Sequence, residues 1–260
     1  MRRRPLLLAA LPWPAVAEGA LPDGSPWTAL LRRHVRMLRG GQASQVNYAG
    51  FARDRASLQT WLVQLAAATR AAFDGASSAE QQAFLINAYN ACTIELILTH
   101  YPGVKSIKDL GSVFDSPWQR ARFPLLGTNL SLDDIEHGWL RKRYVEPRIH
   151  VAINCASVGC PALRDEAYGA AKLEVQLDEQ MARFLGDRSR NRIEGSTLLL
   201  SRIFDWFEAD FSRAAGSLPA YLSRWADALA DTPEDRERVR RRQLRFRFLD
   251  YDWALNEVPR

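Results

Sequence analysis

The chain has 260 residues and three cysteines, is 47% hydrophobic and 25% charged, and carries a formal net charge of +5. These values suit a globular protein with a substantial core, which excludes disorder, collagen and coiled coil as descriptions of the whole. Three cysteines are also too few for a small scaffold stapled by disulfides.

The first residues read as a secretory leader. Arg2, Arg3 and Arg4 supply a positive start, Leu6 to Leu11 a short apolar stretch, and Ala15-Val16-Ala17 a small-residue cleavage pattern. Arg3-Arg4-Pro5-Leu6-Leu7 loosely echoes a twin-arginine signal without its usual flanking residues. This reading places a signal peptide at 1–17, a mature chain from Glu18, and a periplasmic or secreted location. Spanning a bilayer takes about 20 apolar residues, so neither the leader nor any later stretch qualifies as a transmembrane segment.

From there the chain carries no repeat, low-complexity linker or clear boundary, and 18–260 reads as a single domain. Leu30, Leu31, Val35 and Leu38 share a face if Trp27 to Leu38 is helical. Val46-Asn47-Tyr48 is an extended entry to a second helix, about Ala52 to Ala72, with Leu58, Leu62 and Leu65 inward. Ser77 or Ser78 with Glu80 or Gln81 makes a capping-box pattern. The helix it opens runs from about Glu80 to Thr99 and stops at Tyr101-Pro102-Gly103. Apolar residues surround that helix, so it is expected at the centre of the fold.

Ser131 with Asp134 caps a short helix reaching Arg141. Ile149 to Cys155 reads as a strand, Leu173 to Leu185 as a helix and Leu198 to Leu200 as a short strand. Phe204 to Phe211 and Ala220 to Ala230 read as helices. Helices outnumber strands and do not alternate with them regularly. The expected class is therefore α+β: mostly helical, with a small, largely antiparallel sheet. Arg236 to Arg247 holds seven arginines and one glutamate. Leu244, Phe246 and Phe248 alternate with Arg245 and Arg247 at the period of a half-buried strand, so the arginines read as its outer face. The remainder of the mature chain is net acidic, and no nucleic-acid partner is expected.

Several blocks in order resemble the family called domain of unknown function 547. They are Phe84-Leu-Ile-Asn87-Ala-Tyr89-Asn90-Ala, Ile135-Glu136-His137, and Pro147-Arg148-Ile-His150-Val-Ala-Ile-Asn-Cys155-Ala-Ser157-Val-Gly-Cys160-Pro161. Phe204-Asp-Trp206-Phe207-Glu-Ala-Asp210-Phe211 and Tyr251-Asp252-Trp253-Ala-Leu-Asn256 resemble its later blocks, with Phe207 standing where the family pattern has Tyr. The resemblance runs from about Trp27 to Asn256 and implies an exported bacterial protein without a settled activity.

The residues themselves leave two readings. In the first, Cys155 or Cys160 is the nucleophile of an acyl-transferring or amide-hydrolysing enzyme. His150 or His137 is then its base, Glu136 or Asn87 orients that base, and Arg148 favours the thiolate. On a strand His150 and Cys155 would face opposite sides, which disfavours a direct pair without a bulge. In the second, the polar cluster is structural in a non-catalytic binding or scaffold module, with Trp118, Trp139, Trp206 and Trp253 lining a groove. Cys155 and Cys160 are also spaced to permit a disulfide, which export favours. Zinc ligation by two histidines and two cysteines lacks finger spacing, and no metal or other cofactor is expected. Cys92 reads as an inert core thiol. Asn87 and Asn90, three apart on one buried helix, either serve a binding site or satisfy loop backbone. His34 and His100 lie near helix ends and read as surface or dipole-satisfying residues. The ligand or partner is an unknown small molecule or peptide.

Overall fold

The computed structural model describes residues 20–112 and 115–259; the leader at 1–17 lies outside them. The fold is built around one helix, Ser78–Leu98. The Ser77 Oγ accepts from the Glu80 backbone N–H, and the Glu80 carboxylate accepts from the Ser77 N–H at 2.8 Å, a complete capping box. Leu85, Ile86, Ala88, Ala91 and Ile97 on this helix are fully buried. Each large apolar side chain so buried contributes about 1.5–3 kcal/mol, which is why the helix stays central despite the polar Asn87 and Asn90.

Helices Ser25–His34 and Arg55–Ala67 and the turn Asp134–Leu140 pack around it in a first apolar cluster containing Trp27, Phe51, Trp61 and Phe84. A second cluster gathers Met181, Phe184, Phe204, Phe211 and Leu222. The helix Leu173–Leu185 joins the two: Leu173 and Leu177 belong to the first, Met181 and Leu185 to the second. Its four-residue spacing keeps all four on one face.

The strands form three small sheets instead of one. Val35–Leu38 pairs antiparallel with Ala43–Val46, and Phe123–Leu125 with Thr128–Leu130. Thr197–Leu200 lies between Arg192–Glu194, antiparallel, and Arg245–Phe248, parallel. The mixed α+β class, mostly helical with small and largely antiparallel sheets, is the one the sequence implies. On the last strand Arg245 and Arg247 are exposed and Phe246 and Phe248 half-buried, the expected alternation, although Arg240 closes the preceding helix Pro233–Arg240. No helix among the described residues is long and apolar enough to cross a membrane.

Several elements depart from the sequence reading, among them the expected helices at 204–211 and 220–230, each of which is two pieces: Ile203–Trp206 and Glu208–Ala215, then Leu218–Ser223 and Ala226–Leu229. The first helix ends at His34, and Val35–Leu38 is a strand, because Gly40 and Gly41 take positive φ and turn it back on Ala43–Val46. Leu30, Leu31 and Val35 are buried all the same. The expected helix at 52–72 is three pieces, Tyr48–Arg53, Arg55–Ala67 and Arg70–Gly75. Asn47 caps the first through Gly50 N–H, and Thr69 caps the last through Ala72 N–H.

Ile149 to Cys155 is not a strand. Ile149–Ala152 is a single helical turn after Pro147, and the chain becomes extended at Ile153. A short buried apolar run has no periodicity to separate strand from helix, and here the central helix decides. The Asn90 Nδ2 donates to the Ala152 carbonyl at 3.0 Å, and its Oδ1 accepts from the Asn154 N–H at 2.8 Å. Two backbone groups that would otherwise seek a sheet partner are thereby satisfied.

The C-terminal tail straps the following loop. Val158 N–H donates to the Ala254 carbonyl and Gly159 N–H to that of Asp252, while Asn256 N–H donates to the Ala156 carbonyl. Asn256 also accepts from the Tyr48 hydroxyl at 2.7 Å, which anchors the tail to the first cluster. A Cβ on Gly159 would lie 2.9 Å from the Tyr251 ring, so this close approach requires glycine.

Candidate functional site

A cleft of about 240 Å³ opens at the seam between the two apolar clusters. Tyr89, Glu136, His137, His150, Cys155, Cys160, Trp206, Phe207, Tyr251 and Trp253 line it. Five of the residues singled out by chemistry in the sequence thus converge: Glu136, His137, His150, Cys155 and Cys160.

Glu136 and His137 come from Asp134–Leu140, a π-helical turn. Its start is fixed by Ser131 and Asp134, each accepting the other's backbone N–H at 2.9 and 3.0 Å. The wider turn is a common device for presenting side chains at functional sites. Glu136 is buried and hydrogen-bonded to Tyr89. Burial, reinforced by the charges of Glu136 and Asp133, pushes the Tyr89 hydroxyl well above the ordinary phenol range. The phenol therefore stays a donor. His137 is 44% exposed, with Nδ1 2.9 Å from Arg141 and Nε2 3.8 Å from Asp133.

His150 is the most enclosed group. Its side chain is 0% exposed, stacked on Phe207 at 3.7 Å between ring centroids, with Nε2 2.8 Å from the Asp210 carboxylate. Arg141 donates to the same carboxylate oxygen at 2.6 Å, and Arg213 to the other at 3.3 Å. Burial alone would raise the Asp210 pKa, but hydrogen bonds from His150 and Arg141 outweigh it and hold the carboxyl far below the usual range. An ionised carboxylate only accepts, so Nε2 carries the proton. In the neutral ring Nδ1 then carries the lone pair. Among the described residues Nδ1 has no hydrogen-bond partner, and the nearest carboxylate, Glu136, is 3.7 Å away.

Cys155 and Cys160 are joined as a disulfide. Cys155 is partly exposed and Cys160 buried. The Cys155 N–H donates to the Cys160 Sγ at 2.9 Å, and the Tyr251 hydroxyl lies 3.2 Å from each sulfur. Burial holds the Tyr251 hydroxyl well above the phenol range despite the opposing charge of Arg190, so it remains a donor to sulfur. Asn154 shapes the loop, donating to the Pro161 carbonyl and accepting from the Ala156 N–H, with Ala156 at φ +64.

Other expected site residues lie elsewhere. Asn87 bonds both ways to the Tyr168 backbone, at 2.8 and 2.9 Å, outside the cleft. Asn90 holds the His150 turn instead of facing a ligand. Arg148 is bound by Glu146, Glu174 and Asp178 and does not line the cleft; foremost the hydrogen bond to Glu146 raises its pKa further. Trp139 packs edge-on to Phe73 under Arg70 and Arg143, whereas Trp118, Trp206 and Trp253 do reach the cleft. His34 is buried against Asp54 at 2.8 Å and not at the surface; His100 is exposed beside Thr99. Cys92 is buried, and burial raises its thiol far above the ordinary range. No group of three His, Cys, Asp or Glu side chains among the described residues is placed to hold a metal ion.

Asp210 and Tyr251 are the residues that sequence reasoning left without a role. Both stand inside blocks of the family resemblance, but their partners are 60 and 96 residues away. No curated protein and no solved structure matches the chain. The family model described as "Protein of unknown function, DUF547" matches residues 73–185, a stretch that holds Glu136, His137, His150 and both loop cysteines and stops short of Asp210 and Tyr251. Across those residues, and only there, the chain is similar to the DUF547 family.

Proposed function

We propose that the cleft is a thiol-dependent acyl-transfer or amide-hydrolysing site, with Cys155 as nucleophile, His150 as base and Asp210 as the group that orients it. One observation carries this reading: His150 is fixed through Nε2 on Asp210, its buried Nδ1 has no hydrogen-bond partner among the described residues, and His150 lines the same cleft as both cysteines. A carboxylate, a ring held in one tautomer and a facing nucleophile is the arrangement that activates thiols and hydroxyls in unrelated folds. Of the two cysteines, Cys155 is the more exposed.

The chemistry starts from the reduced pair. An external dithiol gives two electrons and two protons to the Cys155–Cys160 disulfide and is itself oxidised to a disulfide. The Cys155 thiol then passes its proton to His150 Nδ1 and attacks an acyl carbon. The C–N or C–O bond breaks as His150 returns that proton to the leaving group, leaving a thioester on Cys155. Water or an amine attacks the thioester, its proton passes through His150, and the thiol is restored. Glu136 and His137, which line the same cleft, contact the substrate.

Reaction of the reduced, folded protein with iodoacetamide near neutral pH tests this. Cys155 is expected to label while Cys92 does not, and His150→Ala and Asp210→Asn should slow labelling more than His137→Ala does. Resistance of both loop cysteines would sink the proposal. The disulfide itself favours a second reading, a non-catalytic binding module, because in that state the cleft offers no thiol. Under that reading reduction exposes no fast-reacting cysteine and lowers stability.

We infer that the protein works outside the cytoplasm, in the periplasm or medium. The leader pattern before Glu18 supports this, as does a disulfide, which oxidising compartments preserve.

A further inference from the structure

The walls of the cleft carry an uneven charge that chemistry elsewhere in the fold does not use. Asp133 and Glu136 line it, whereas no lysine or arginine does among the described residues. The buried His150, a lining residue whose Nδ1 has no hydrogen-bond partner among the described residues, adds a further acceptor behind that surface.

The same cleft is lined by a cluster of tilted aromatic rings. Trp206 and Trp253 are 5.6 Å apart between centroids, Tyr251 and Trp253 4.5 Å, and Trp118 closes edge-on to Trp253 at 5.8 Å. Trp206 stays 45% exposed, unusual for so large an apolar side chain. The cluster already takes one cation from the chain itself: the Lys108 ammonium sits 3.8 Å from the Trp253 centroid. Aromatic faces and carboxylates lining one cleft are the chemistry that holds alkylated ammonium ions, which are attracted by the ring quadrupole and by the negative charge.

We propose that the cleft binds an alkylammonium group, so that the acyl compound processed there carries a positively charged amine. The proposal rests on reading this cleft as a substrate site. Its test uses the oxidised protein and no reaction, so thiol chemistry and cation recognition fail separately.

Choline and its neutral isostere 3,3-dimethylbutanol are titrated calorimetrically into the folded, disulfide-bonded protein. Choline is expected to bind at least about tenfold more tightly than the isostere. Trp206→Leu and Asp133→Asn, both at partly exposed positions, should each weaken choline about 3- to 10-fold and leave the isostere nearly unchanged. Equal binding of the two probes would mean an apolar pocket without cation recognition and overturn the proposal. So would absence of choline binding, or choline affinity unchanged in both variants, provided that each variant unfolds at the wild-type denaturant midpoint.

Discussion

Replacing Asp210 with asparagine probes the centre of the site without leaving a cavity. The carboxylate accepts from a fully buried imidazole at 2.8 Å, from Arg141 at 2.6 Å and from Arg213 at 3.3 Å. A buried hydrogen bond to a charged group is worth about 1.5–3 kcal/mol. Arg141 is about one-quarter exposed, so its pair adds at most about 1 kcal/mol, and the half-exposed Arg213 adds little. Asp210→Asn is therefore expected to lose roughly 2–4 kcal/mol, read in urea as a lower midpoint with an unchanged slope. The sign of the pH dependence follows from the depressed carboxyl: its stabilisation is complete above the unfolded-state pKa of about 3.9 and fades as pH falls toward the much lower folded value. Wild type and variant should accordingly converge in acid. A loss under about 1 kcal/mol at neutral pH, or a gap that persists undiminished in acid, would refute the Asp210–His150 hydrogen bond as an organising contact.

Other outcomes follow from the same structure. Gly159→Ala sets a methyl 2.9 Å from the Tyr251 ring and 3.0 Å from the Asp252 carbonyl, and should cost about 1–3 kcal/mol by thermal or urea unfolding; a neutral result would mean the strap is loose. Glu166 has a carboxyl that burial alone would raise, but hydrogen bonds from Lys172, Arg164 and Gln176 hold it at about 2, so the stability it confers is present above about pH 4.5 and lost as pH falls through 2. Glu166→Gln should be less stable than wild type at pH 6 and nearly equal to it near pH 2, and equal stability at both pH values would contradict the network. Protein purified from its native host should begin near Glu18; an intact Met1 terminus would overturn the leader assignment. Neutralising the exposed Arg245 and Arg247 should leave the fold intact and any DNA binding weak and salt-sensitive, whereas tight, salt-resistant binding lost in the double variant would reverse that reading.

Local signals made much of this fold legible. The Ser77–Glu80 box opens the central helix, Ser131 and Asp134 open the turn bearing Glu136, and apolar spacing marks Leu173–Leu185. Each depends on residues within a few positions of one another. At the candidate site the failures are those in which a distant partner decides. Ile149–Ala152 turns helical where Asn90, sixty-two residues earlier, takes its last carbonyl. With that change the alternation argument separating His150 from Cys155 loses its basis, and both reach one cleft. The sequence offers Glu136 or Asn87 to orient the base, whereas Asp210 holds His150, across a separation that no spacing rule covers. The convergence of Glu136, His137, His150 and the two cysteines was legible as chemistry; its geometry was not.

The tail that closes over the Cys155–Cys160 loop follows both cores along the chain. The central helix and most residues of both apolar clusters precede Tyr251, so a chain truncated there keeps the material for its cores. What it lacks is Tyr251 beside the sulfurs, Trp253 on the rim and Asn256 anchored to Tyr48. The cover over the disulfide is therefore a layer separable from the folded cores, and access to the two sulfurs is set by the docking of this one segment.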